Sequence, residues 1–531
     1  MGKAIGIDFG TTNTVVSYMN KNGHLRQLDY QGETLIPSII YFKSKDEYVI
    51  GYPAKNASKT SPSACVDSFK TKLGADKFTY KITAKNSDTF RLTPKKAVML
   101  FLNKVIKDVE QKLVQDFGTD EGVIDRVVIT VPAKFNSKEI EAIKNAASDS
   151  LNLGNNKIRA VFEPTAAAIA AQEEEGGEIN KVLIYDLGGG TFDVSLIQRY
   201  GEKNRFRSVL PADGNKELGG NLLTEMLANK LMQWANEEYG TEFTMDLRDY
   251  DAEEHGITKE QYEQNISKIK SAAEDVKIEL SDSEETTADF NFWISKDESE
   301  NASISVTRKE LEKIIKKKID ETVEITYKMI HAPAAEALNG IDKIVLAGGS
   351  SKIPIIKDFL VKKLNREDIS CSEEVSTLIS RGAAILAQDI SKLDDIEQVT
   401  NFQIGIAATE GMHFDKFQMI IPENVKLPYK NSRDFSLAYD GQQRLDVAYY
   451  EYDVGKYPKS KSIDEEGFQQ IDVLRVSLPE GLKKSDTVVK ITFNANVDGS
   501  LDLSAEIFDK NGKKIDVAGG ALHVDKESDL I

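Results

Sequence analysis

The hydrophobic pattern of the chain divides it into two regions with different secondary structure. Over roughly the first 390 residues, short β-prone runs alternate with amphipathic stretches of helical period, a pattern typical of α/β folds with mixed sheets. After about Gln388 the helical period largely disappears, and apolar and polar residues alternate as in half-buried antiparallel strands. We therefore predict an α/β region followed by a separate antiparallel β domain.

Capping residues and apolar runs indicate individual elements of the first region. Thr93, followed by a proline, supplies a cap for an amphipathic run that continues to about Gln115. Thr307 and Glu310 have the spacing of a capping box, which predicts a helix to about Ile330. The other predicted helices span 137–148, 222–239, 258–280 and 351–364, and the predicted strands span 4–7, 14–19, 127–131, 343–347 and two stretches within 181–197.

Asp-Gly and Asn-Gly pairs mark turns in the second region. They occur at Asp440-Gly441, Asp498-Gly499 and Asn511-Gly512, and such pairs favour the tight turns of β-hairpins. Residues 488–497 and 500–508 flank the second pair with regular alternation of apolar and polar positions. We predict a separate antiparallel β domain from about 399 to 518, which leaves 531 − 518 = 13 residues, too few for another domain.

The composition is that of a large globular protein with an acidic balance. The 531 residues include 68 Lys and Arg against 86 Asp and Glu, a formal charge of −18, and 40% of them are apolar. This charge argues against a nucleic-acid binder, and the lack of a long apolar run or a leader pattern argues against a membrane protein or a signal peptide. The five histidines have no metal-ligand spacing, so we predict no zinc site.

Two cysteines, Cys65 and Cys371, are too few for a disulfide scaffold and predict a reducing, cytoplasmic compartment. We expect both to be packing residues, although the polar loop around Cys65 leaves a reactive thiol open.

A weak internal repeat places an aspartate and a turn of small residues between two β-prone runs. The first copy contains Asp8 and the second Asp186, which are 186 − 8 = 178 residues apart. Turns of small residues let backbone N–H groups approach a phosphate, and the aspartates suit a hydrated Mg²⁺. One such turn alone is usually only a turn, but two facing copies would hold the phosphates of a nucleotide from both sides.

A third glycine turn supports this interpretation. Gly348 and Gly349 end a predicted strand before a helix, where a nucleoside could lie against the backbone, although the turn alone could equally be a tight connection. The chain contains neither a P-loop nor a dinucleotide-binding Gly-x-Gly-x-x-Gly motif, so neither of those nucleotide folds competes.

In this order along the chain, these segments resemble the 70-kDa heat-shock chaperone family, itself built on the actin and sugar-kinase fold. The resemblance runs from Lys3 to about residue 518. It implies a two-lobed, actin-like α/β ATPase domain with ribonuclease-H-like subdomains, followed by an antiparallel β-sandwich that binds substrate. The implied boundaries are 1–391 for the ATPase domain, 392–398 for the linker, 399–518 for the sandwich and 519–531 for a C-terminal tail.

The resemblance also implies the residues of an ATP site with Mg²⁺, and K⁺ as a further candidate ion. The implied catalytic residues are Lys70, Glu163, Asp193, Thr191 and Asp8, with Asp8 and Asp186 ordering Mg²⁺ through water. The implied ATP- or ADP-binding residues are Gly10, Thr11, Thr12, Asn13, Lys70, Gly188, Gly189, Gly190, Thr191, Gly219, Gly220, Glu274, Lys277, Ile278, Ser281, Gly348, Gly349, Ser350 and Lys352. Lys70 would stabilise charge on the γ-phosphate, while Glu163 and Asp193 would orient or deprotonate the attacking water.

The sequence departs from the family pattern at four places. The linker is acidic and polar where the family has apolar residues, so we expect it to dock poorly. Ile140 occupies the position of the family's interdomain-switch arginine, which puts a relay through Pro132 in doubt, and Ser376-Thr377 replace an acidic pair. The 531 residues do not include the family's helical lid, and without it we expect fast peptide exchange.

Three classes of function remain open at this point. The leading prediction is an ATP-dependent chaperone with slow hydrolysis, whose partners are unfolded or extended polypeptides, a J-domain co-chaperone and a nucleotide-exchange factor, with no nucleic acid or membrane. The alternative is an ATP-binding regulatory or scaffold relative whose β domain docks one fixed partner. The third class is a small-molecule kinase of the same superfamily. The β domain argues against it, because a kinase would not need that domain.

Overall fold

The computed structural model describes residues 3–522 except 21, 76, 119–123, 152–156, 175–178, 201–204, 337–339, 373, 390–395, 411–412, 461 and 520. The chain forms two compact units. The first comprises 1–132, 143–197 and 213–390, and the second comprises 133–142, 198–212 and 391–531. Because two short segments of the predicted ATPase domain belong to the second unit, the predicted domain boundaries stay a prediction.

The helices and strands follow the predicted order closely. The helices are α1 (Tyr52–Ser58), α2 (Pro94–Phe117), α3 (Ser137–Leu151), α4 (Glu163–Glu174), α5 (Gly220–Tyr239), α6 (Ala252–His255), α7 (Lys259–Glu279), α8 (Arg308–Ile330), α9 (Pro333–Glu336), α10 (Pro354–Leu364) and α11 (Leu378–Gln388). The strands up to residue 371 are β1 (Lys3–Phe9), β2 (Asn13–Met19), β3 (Leu25–Gln27), β4 (Ile36–Pro37), β5 (Ile39–Phe42), β6 (Tyr48–Ile50), β7 (Cys65–Asp67), β8 (Tyr80–Thr83), β9 (Thr89–Leu92), β10 (Ile124–Val131), β11 (Ile158–Phe162), β12 (Lys181–Leu187), β13 (Phe192–Tyr200), β14 (Arg205–Ser208), β15 (Asp213–Asn215), β16 (Glu285–Trp293), β17 (Ser299–Thr307), β18 (Lys343–Ala347) and β19 (Ile369–Cys371).

The later strands are β20 (Gln403–Glu410), β21 (His413–Ile421), β22 (Tyr429–Ser436), β23 (Arg444–Tyr452), β24 (Phe468–Ser477), β25 (Thr487–Ala495), β26 (Leu501–Asp509), β27 (Lys514–Ile515) and β28 (Ala521–Leu522). The caps predicted at Thr93 and Thr307 are confirmed, since each side chain accepts a hydrogen bond from a backbone N–H in the first turn of its helix. The hairpin formed by β16 and β17 was not predicted.

Two sheets of the first unit repeat the same strand order. In one sheet the order is β2-β1-β10-β11, with β1 antiparallel to β2 and parallel to β10, and with β10 parallel to β11. In the other sheet the order is β13-β12-β18-β19, with β12 parallel to β18 and β18 parallel to β19. The weak sequence repeat is therefore a repeat of topology, and in each copy the glycine or threonine turn joins the first strand to its hairpin partner.

Glycines bring the first strand of the chain against the last helix of this unit. A Cβ atom on Gly6 of β1 would lie 2.5 Å from the carbonyl carbon of Ala383 in α11. A Cβ atom on Gly382 of α11 would lie 2.5 Å from the carbonyl carbon of Ala166 in α4. The backbone of α11 approaches the backbones of β1 and α4 this closely only because Gly6 and Gly382 carry no side chain. Helix α11 therefore packs tightly between β1 and α4.

The C-terminal strands of the second unit form two sheets with a shared core. One sheet has the order β21-β20-β23-β24, and the other has the order β22-β25-β26-β27 with β28 beside β26. Ile421, Tyr449, Phe493 and Ile507 are among the buried residues between them. Because apolar residues alternate with polar ones along β25 and β26, each strand turns one face to this core, as in a sandwich.

The structure confirms two of the three predicted hairpins. Asp498-Gly499 connects β25 to its partner β26, and Asn511-Gly512 connects β26 to its partner β27. Asp440-Gly441 does not close a hairpin, because β22 pairs with β25 whereas β23 pairs with β20 and β24. The chain at residues 437–443 therefore crosses from one sheet to the other.

The described part of the linker is an ordered strand-like segment. The Glu397 N–H donates to the Phe206 carbonyl at 2.7 Å, and the Ser208 N–H donates to the Glu397 carbonyl at 2.9 Å. Ile396 is buried, and the Glu397 carboxylate pairs with Lys426. These contacts lie within the second unit, so the expectation of poor docking on the ATPase domain stays a prediction. Residues 392–395 and most of the predicted tail, 520 and 523–531, lie outside the described residues.

Further contacts within the second unit involve the segment that begins with Ala133. The Asn401 side chain donates to the Ala133 carbonyl at 2.6 Å and accepts from the Ala212 N–H at 3.0 Å. The Ser137 N–H, at the start of α3, donates to the Glu451 carboxylate at 3.1 Å. Ile140 is buried, so the residue at the predicted switch position acts here through packing.

Candidate functional site

The two repeated turns of the first unit lie directly against each other. The first turn, Gly10–Thr12, connects β1 to β2, and the second, Gly188–Thr191, connects β12 to β13. A Cβ atom on Gly190 would lie 2.5 Å from the Thr11 hydroxyl oxygen, and one on Gly189 would lie 2.8 Å from Cβ of Thr12. The structure thus brings the two turns of the repeat into contact, and backbone amides and threonine hydroxyls are the kinds of donor that a phosphate chain requires.

A buried lysine and a buried glutamate lie beside the first turn. Lys70 Nζ lies 2.8 Å from Glu163 Oε1, with the side chains only 3% and 8% exposed, and it also donates to the Phe9 carbonyl. Lys70 comes from the helical turn after β7, and Glu163 is the first residue of α4. These elements place a fixed cation next to Asp8, the residue before Phe9.

The aspartates that lead each turn lie in surroundings that disfavour their charge. Burial raises the pKa of Asp8 to about 7, with the Glu163 carboxylate acting in the same direction and Lys70 and Thr130 opposing it. Burial also raises the pKa of Asp186 well above its usual range, and Glu163, Asp193 and Asp8 add to the effect. The carboxylates of Asp8, Asp186, Asp193 and Glu163 therefore interact electrostatically in one region of the unit.

This donor set fits a hydrated divalent cation. Mutual repulsion of the carboxylates favours a bound positive charge, and Mg²⁺ usually keeps several waters and takes only one or two carboxylates. Within the residues that the structure describes, no group of three or more His, Cys, Asp or Glu side chains is arranged to ligate a metal directly. Binding of Mg²⁺ through water by Asp8 and Asp186 therefore stays a prediction.

Gly219 and Gly220 support the second turn from behind. The Gly220 N–H donates to the Gly188 carbonyl at 2.9 Å, and the Asn221 N–H donates to the Gly189 carbonyl at 2.7 Å. A Cβ atom on Gly219 would lie 2.5 Å from the carbonyl carbon of Gly190, so only glycine allows this approach. Thr12 completes the connection, since its hydroxyl donates to the Asn221 side chain at 3.0 Å.

Helix α7 presents a charged pair to the same turn. Lys277 Nζ lies 2.6 Å from Glu274 Oε2 and donates to the Gly220 carbonyl at 3.1 Å. Thr224 accepts from Lys277 at 2.8 Å and donates to Glu274. Burial disfavours the charge of Glu274, but Lys277 and Thr224 outweigh it and lower the pKa of this carboxyl. The pair is therefore charged and fixed in place.

The third glycine turn also reaches the second one. The Ser350 hydroxyl donates to the Gly188 carbonyl at 3.2 Å. Gly348 has a φ of +76°, and a Cβ atom there would overlap Asp186 Oδ1. Gly349 lies close to Ser376, one of the residues that replace the family's acidic pair.

Four further predicted residues lie in the surroundings described next. Ile278 lies on α7 with 54% of its side chain exposed, and the Ser281 hydroxyl donates to the Lys277 carbonyl at 3.4 Å. Lys352 is exposed and interacts electrostatically with Cys371. Asn13 begins β2, one residue after the first turn. Ile278 therefore offers an accessible apolar surface, and the predicted nucleotide-binding role of Lys352 stays a prediction.

The sequence patterns did not reveal three residues that contact the site. Ser38 donates through its hydroxyl to the Gly10 carbonyl at 2.8 Å, Asn221 accepts from Thr12, and the Thr130 hydroxyl donates to Asp8 Oδ1 at 3.0 Å. Of the three, Thr130 carries a local signal, because it is the one hydroxyl residue of the buried stretch 127–131.

Cys65 is not the reactive thiol that its polar surroundings left open. It lies in the short strand β7, and burial together with Asp67 raises the pKa of its thiol to about 12. A thiol with so high a pKa is almost entirely protonated at neutral pH, so it is a poor nucleophile. The expectation that Cys65 is a packing residue fits this environment.

Among the helices of the described part of the chain, none is both long and apolar enough to span a membrane.

Comparison with known proteins shows similarity along nearly the whole chain. A family model described as Hsp70 protein matches residues 4–529. The chaperone protein DnaK of Thermotoga neapolitana is 29% identical over 547 residues, which cover 99% of this chain and 82% of that protein. The corresponding proteins of Thermotoga petrophila and Thermosipho melanesiensis are 30% and 29% identical and cover 94% and 98% of this chain.

Proposed function

The chain belongs to the Hsp70 family, and from this premise we propose that it is an ATP-dependent chaperone that binds ATP, hydrolyses it slowly and binds extended apolar segments of unfolded proteins. The observation that carries the proposal is the contact between the two repeated turns beside the buried Lys70–Glu163 pair. Members of this family bind ATP or ADP with Mg²⁺, and the donors at the two turns are of the kind that a triphosphate needs.

Each side chain near the turns has a defined task in the proposed reaction. Lys70 places its ammonium group where charge develops on the transferred phosphoryl group, and the hydroxyl of Thr191 adds a donor beside it. Glu163 and Asp193 orient the attacking water and accept its proton. When bound, Mg²⁺ would neutralise charge on the phosphate oxygens, and Asp8 and Asp186 would hold its water ligands.

The adenosine would lie against the glycine turn at Gly348 and Gly349 and against α7. The fixed pair of Glu274 and Lys277 supports this proposal, because it supplies a charged group of each sign at the back of the second turn. The exposed side chain of Ile278 offers an apolar surface to a base.

The β-sandwich of the second unit is proposed to bind client polypeptide. Such a sheet can hold an extended segment through main-chain hydrogen bonds, while pockets select apolar side chains. Unfolded polypeptides, a J-domain co-chaperone and a nucleotide-exchange factor are the proposed partners. The low cysteine content supports the cytoplasm as the place where the protein works.

Steady-state hydrolysis of ATP, measured with and without an extended apolar peptide, tests the proposal. We expect slow hydrolysis by the protein alone and a clear stimulation by the peptide. Retained ATP binding with no response to any peptide would support the scaffold alternative. Transfer of phosphate to a sugar or an alcohol would contradict both interpretations.

A further inference from the structure

A buried hydroxyl lies near the C-terminal end of strand β10. Thr130 is 0% exposed and lies among Val127, Val128, Ile129 and Val131, which are also fully buried. Valine has nearly the same shape as threonine, so packing alone does not require a hydroxyl here. Burying a hydroxyl without a partner is unfavourable, and its presence in an apolar strand therefore points to a specific hydrogen bond.

That hydrogen bond goes to the leading aspartate of the first turn. Thr130 Oγ1 donates to Asp8 Oδ1 at 3.0 Å, although the two residues are 122 positions apart in the chain. A hydrogen bond to a charged acceptor is stronger than one between neutral groups. Thr130 thus contacts the carboxylate that is proposed to hold the water ligands of the cation.

The backbone of Thr130 is held on both sides by neighbouring strands. Strand β10 is parallel to β1, where Ile129 pairs with Ile7, and also parallel to β11, where Thr130 pairs with Val161. A β-branched side chain on such a strand has few accessible rotamers. The hydroxyl is therefore a rigid donor in a fixed place.

The Asp8 carboxylate needs such a donor because neighbouring carboxylates repel it. Glu163, Asp186 and Asp8 interact through repulsion of like charges. A carboxylate that is free to rotate about χ2 would turn away from its negative neighbours, and one oxygen fixed by Thr130 prevents that rotation.

We propose that Thr130 is a positioning residue that holds the Asp8 carboxylate in the orientation needed to bind a hydrated Mg²⁺ with the nucleotide. This inference rests on the proposed function, since it assigns a role within the same nucleotide site.

The test compares Thr130→Val, which keeps the shape and removes the hydroxyl, with Thr130→Ser, which keeps the hydroxyl. Binding of a fluorescent ADP analogue is followed while Mg²⁺ is titrated, and hydrolysis is measured separately as kcat and KM for ATP. In T130V we expect the Mg²⁺ concentration at half-saturation to rise about tenfold and kcat to fall by a similar factor, the size expected for one hydrogen bond to a charged group. Nucleotide binding in EDTA should not change, and T130S should recover most of both losses.

Thr326→Val is the matched control. Thr326 is also 0% exposed, and its hydroxyl donates only within α8, to the Thr322 carbonyl at 2.8 Å. T326V should leave the Mg²⁺ titration unchanged. If T130V does not fold, Thr130→Cys replaces it, because a thiol is a similar size and a much weaker donor.

Two results would overturn the positioning role. One is a T130V protein with a wild-type Mg²⁺ titration and wild-type kcat, and the other is an equal loss in T130V and T130S. Failure of the proposed function would look different, since the wild-type protein itself would then neither bind nor hydrolyse ATP.

Discussion

Lys70 and Glu163 are 93 positions apart in the chain, yet their side chains form an ion pair that is almost wholly buried. Removing one partner of such a pair leaves an unpaired buried charge, which is more costly than removing both. The pair therefore contributes to stability beside its proposed role in hydrolysis, and the two effects can be measured independently.

Lys70→Met should lower the free energy of unfolding of the first unit by about 3–5 kcal/mol, because it leaves Glu163 buried without a cation. The double variant with Glu163→Gln should recover most of that loss while ATP hydrolysis stays at least about 100-fold below wild type, since the cation at the phosphate is still missing. Urea denaturation and single-turnover hydrolysis measure the two effects. Lys72→Met, at an exposed position of the same helical turn, is the control and should change neither. Full hydrolysis by Lys70→Met would refute the assigned role.

Cys65 should be alkylated slowly in the folded protein. Its raised pKa means that the neutral thiol persists at pH 8, and moving from an ordinary pKa of about 9 to about 12 reduces the thiolate fraction about 1000-fold. In a Cys371→Ser background, the rate of reaction with iodoacetamide should rise about tenfold per pH unit from pH 7 to pH 10. Unfolding in urea should raise the rate at each pH close to that of an ordinary cysteine thiol, because the Cys65 thiol is then no longer buried. Rapid labelling of the folded protein at pH 7 would show that the thiol is accessible and ionised.

Local sequence patterns identify residues whose role can be inferred from adjacent residues in the chain. They miss residues whose role depends on contacts with segments far away in the sequence. Asp8 and Asp186 could be identified because each leads a turn of small residues in a repeated segment. Asn221 and Ser38 could not, since their contacts with Thr12 and Gly10 arise only when separate elements pack together. Lys352 was predicted from its motif, and its role at the nucleotide stays a prediction.

At the scale of elements, the same distinction separates confirmed turns from the wrong one. Asp498-Gly499 and Asn511-Gly512 join strands that pair with each other, so the local turn signal and the pairing agree. At Asp440-Gly441 the turn signal is equally strong, but the strands on either side belong to different sheets. A turn motif specifies a change of direction and does not specify the partner of the strand that follows.

The linker illustrates how backbone pairing can replace apolar anchoring. Glu397 makes both of its backbone hydrogen bonds with residues 206–208, while its carboxylate pairs with the exposed Lys426. Backbone pairing does not depend on which side chain is present, whereas an ion pair with an exposed partner contributes little. Residues 396–398 can therefore pair with residues 206–208 despite the acidic composition of the linker.

Glu397→Pro should detach this segment, because proline has no N–H to donate to the Phe206 carbonyl. Amide hydrogen exchange at Ser208 should accelerate by at least about tenfold in this variant, since its acceptor is the Glu397 carbonyl. Glu397→Gln keeps the backbone bonds and loses only the ion pair, so Ser208 should remain protected. If Glu397→Gln exposes Ser208 as much as Glu397→Pro does, the ion pair and not the strand pairing holds the linker.

At the scale of the whole molecule, membership of the Hsp70 family confirms the predicted fold class of an actin-like α/β ATPase domain followed by a β-rich domain. The internal repeat is weak in sequence but clear in topology, since the two sheets β2-β1-β10-β11 and β13-β12-β18-β19 have equivalent strand orders. The placement of residues 133–142 and 198–212 in the second unit had no signal in the sequence, because it depends on tertiary contacts alone.

Nucleotide should stabilise one unit selectively. Both tryptophans of the chain, Trp234 and Trp293, lie in the first unit, so their fluorescence follows the unfolding of the predicted ATP site. With ADP and Mg²⁺ at 100 times the dissociation constant, the free energy of unfolding reported by fluorescence should rise by about 2.7 kcal/mol. The same titration in EDTA should give a smaller rise. A fluorescence transition that is indifferent to nucleotide would contradict ligand binding in this unit.

The close approach of Gly6 to α11 has a consequence for how the protein is made. Strand β1 is the first described element to leave the ribosome, but the helix that fits against it is complete only at Gln388. At about 5–20 residues per second, synthesis separates the two by roughly 20–75 s. During that interval α11 does not yet cover the apolar face of the first sheet, so we expect the nascent chain to be prone to aggregation until residue 388 has emerged.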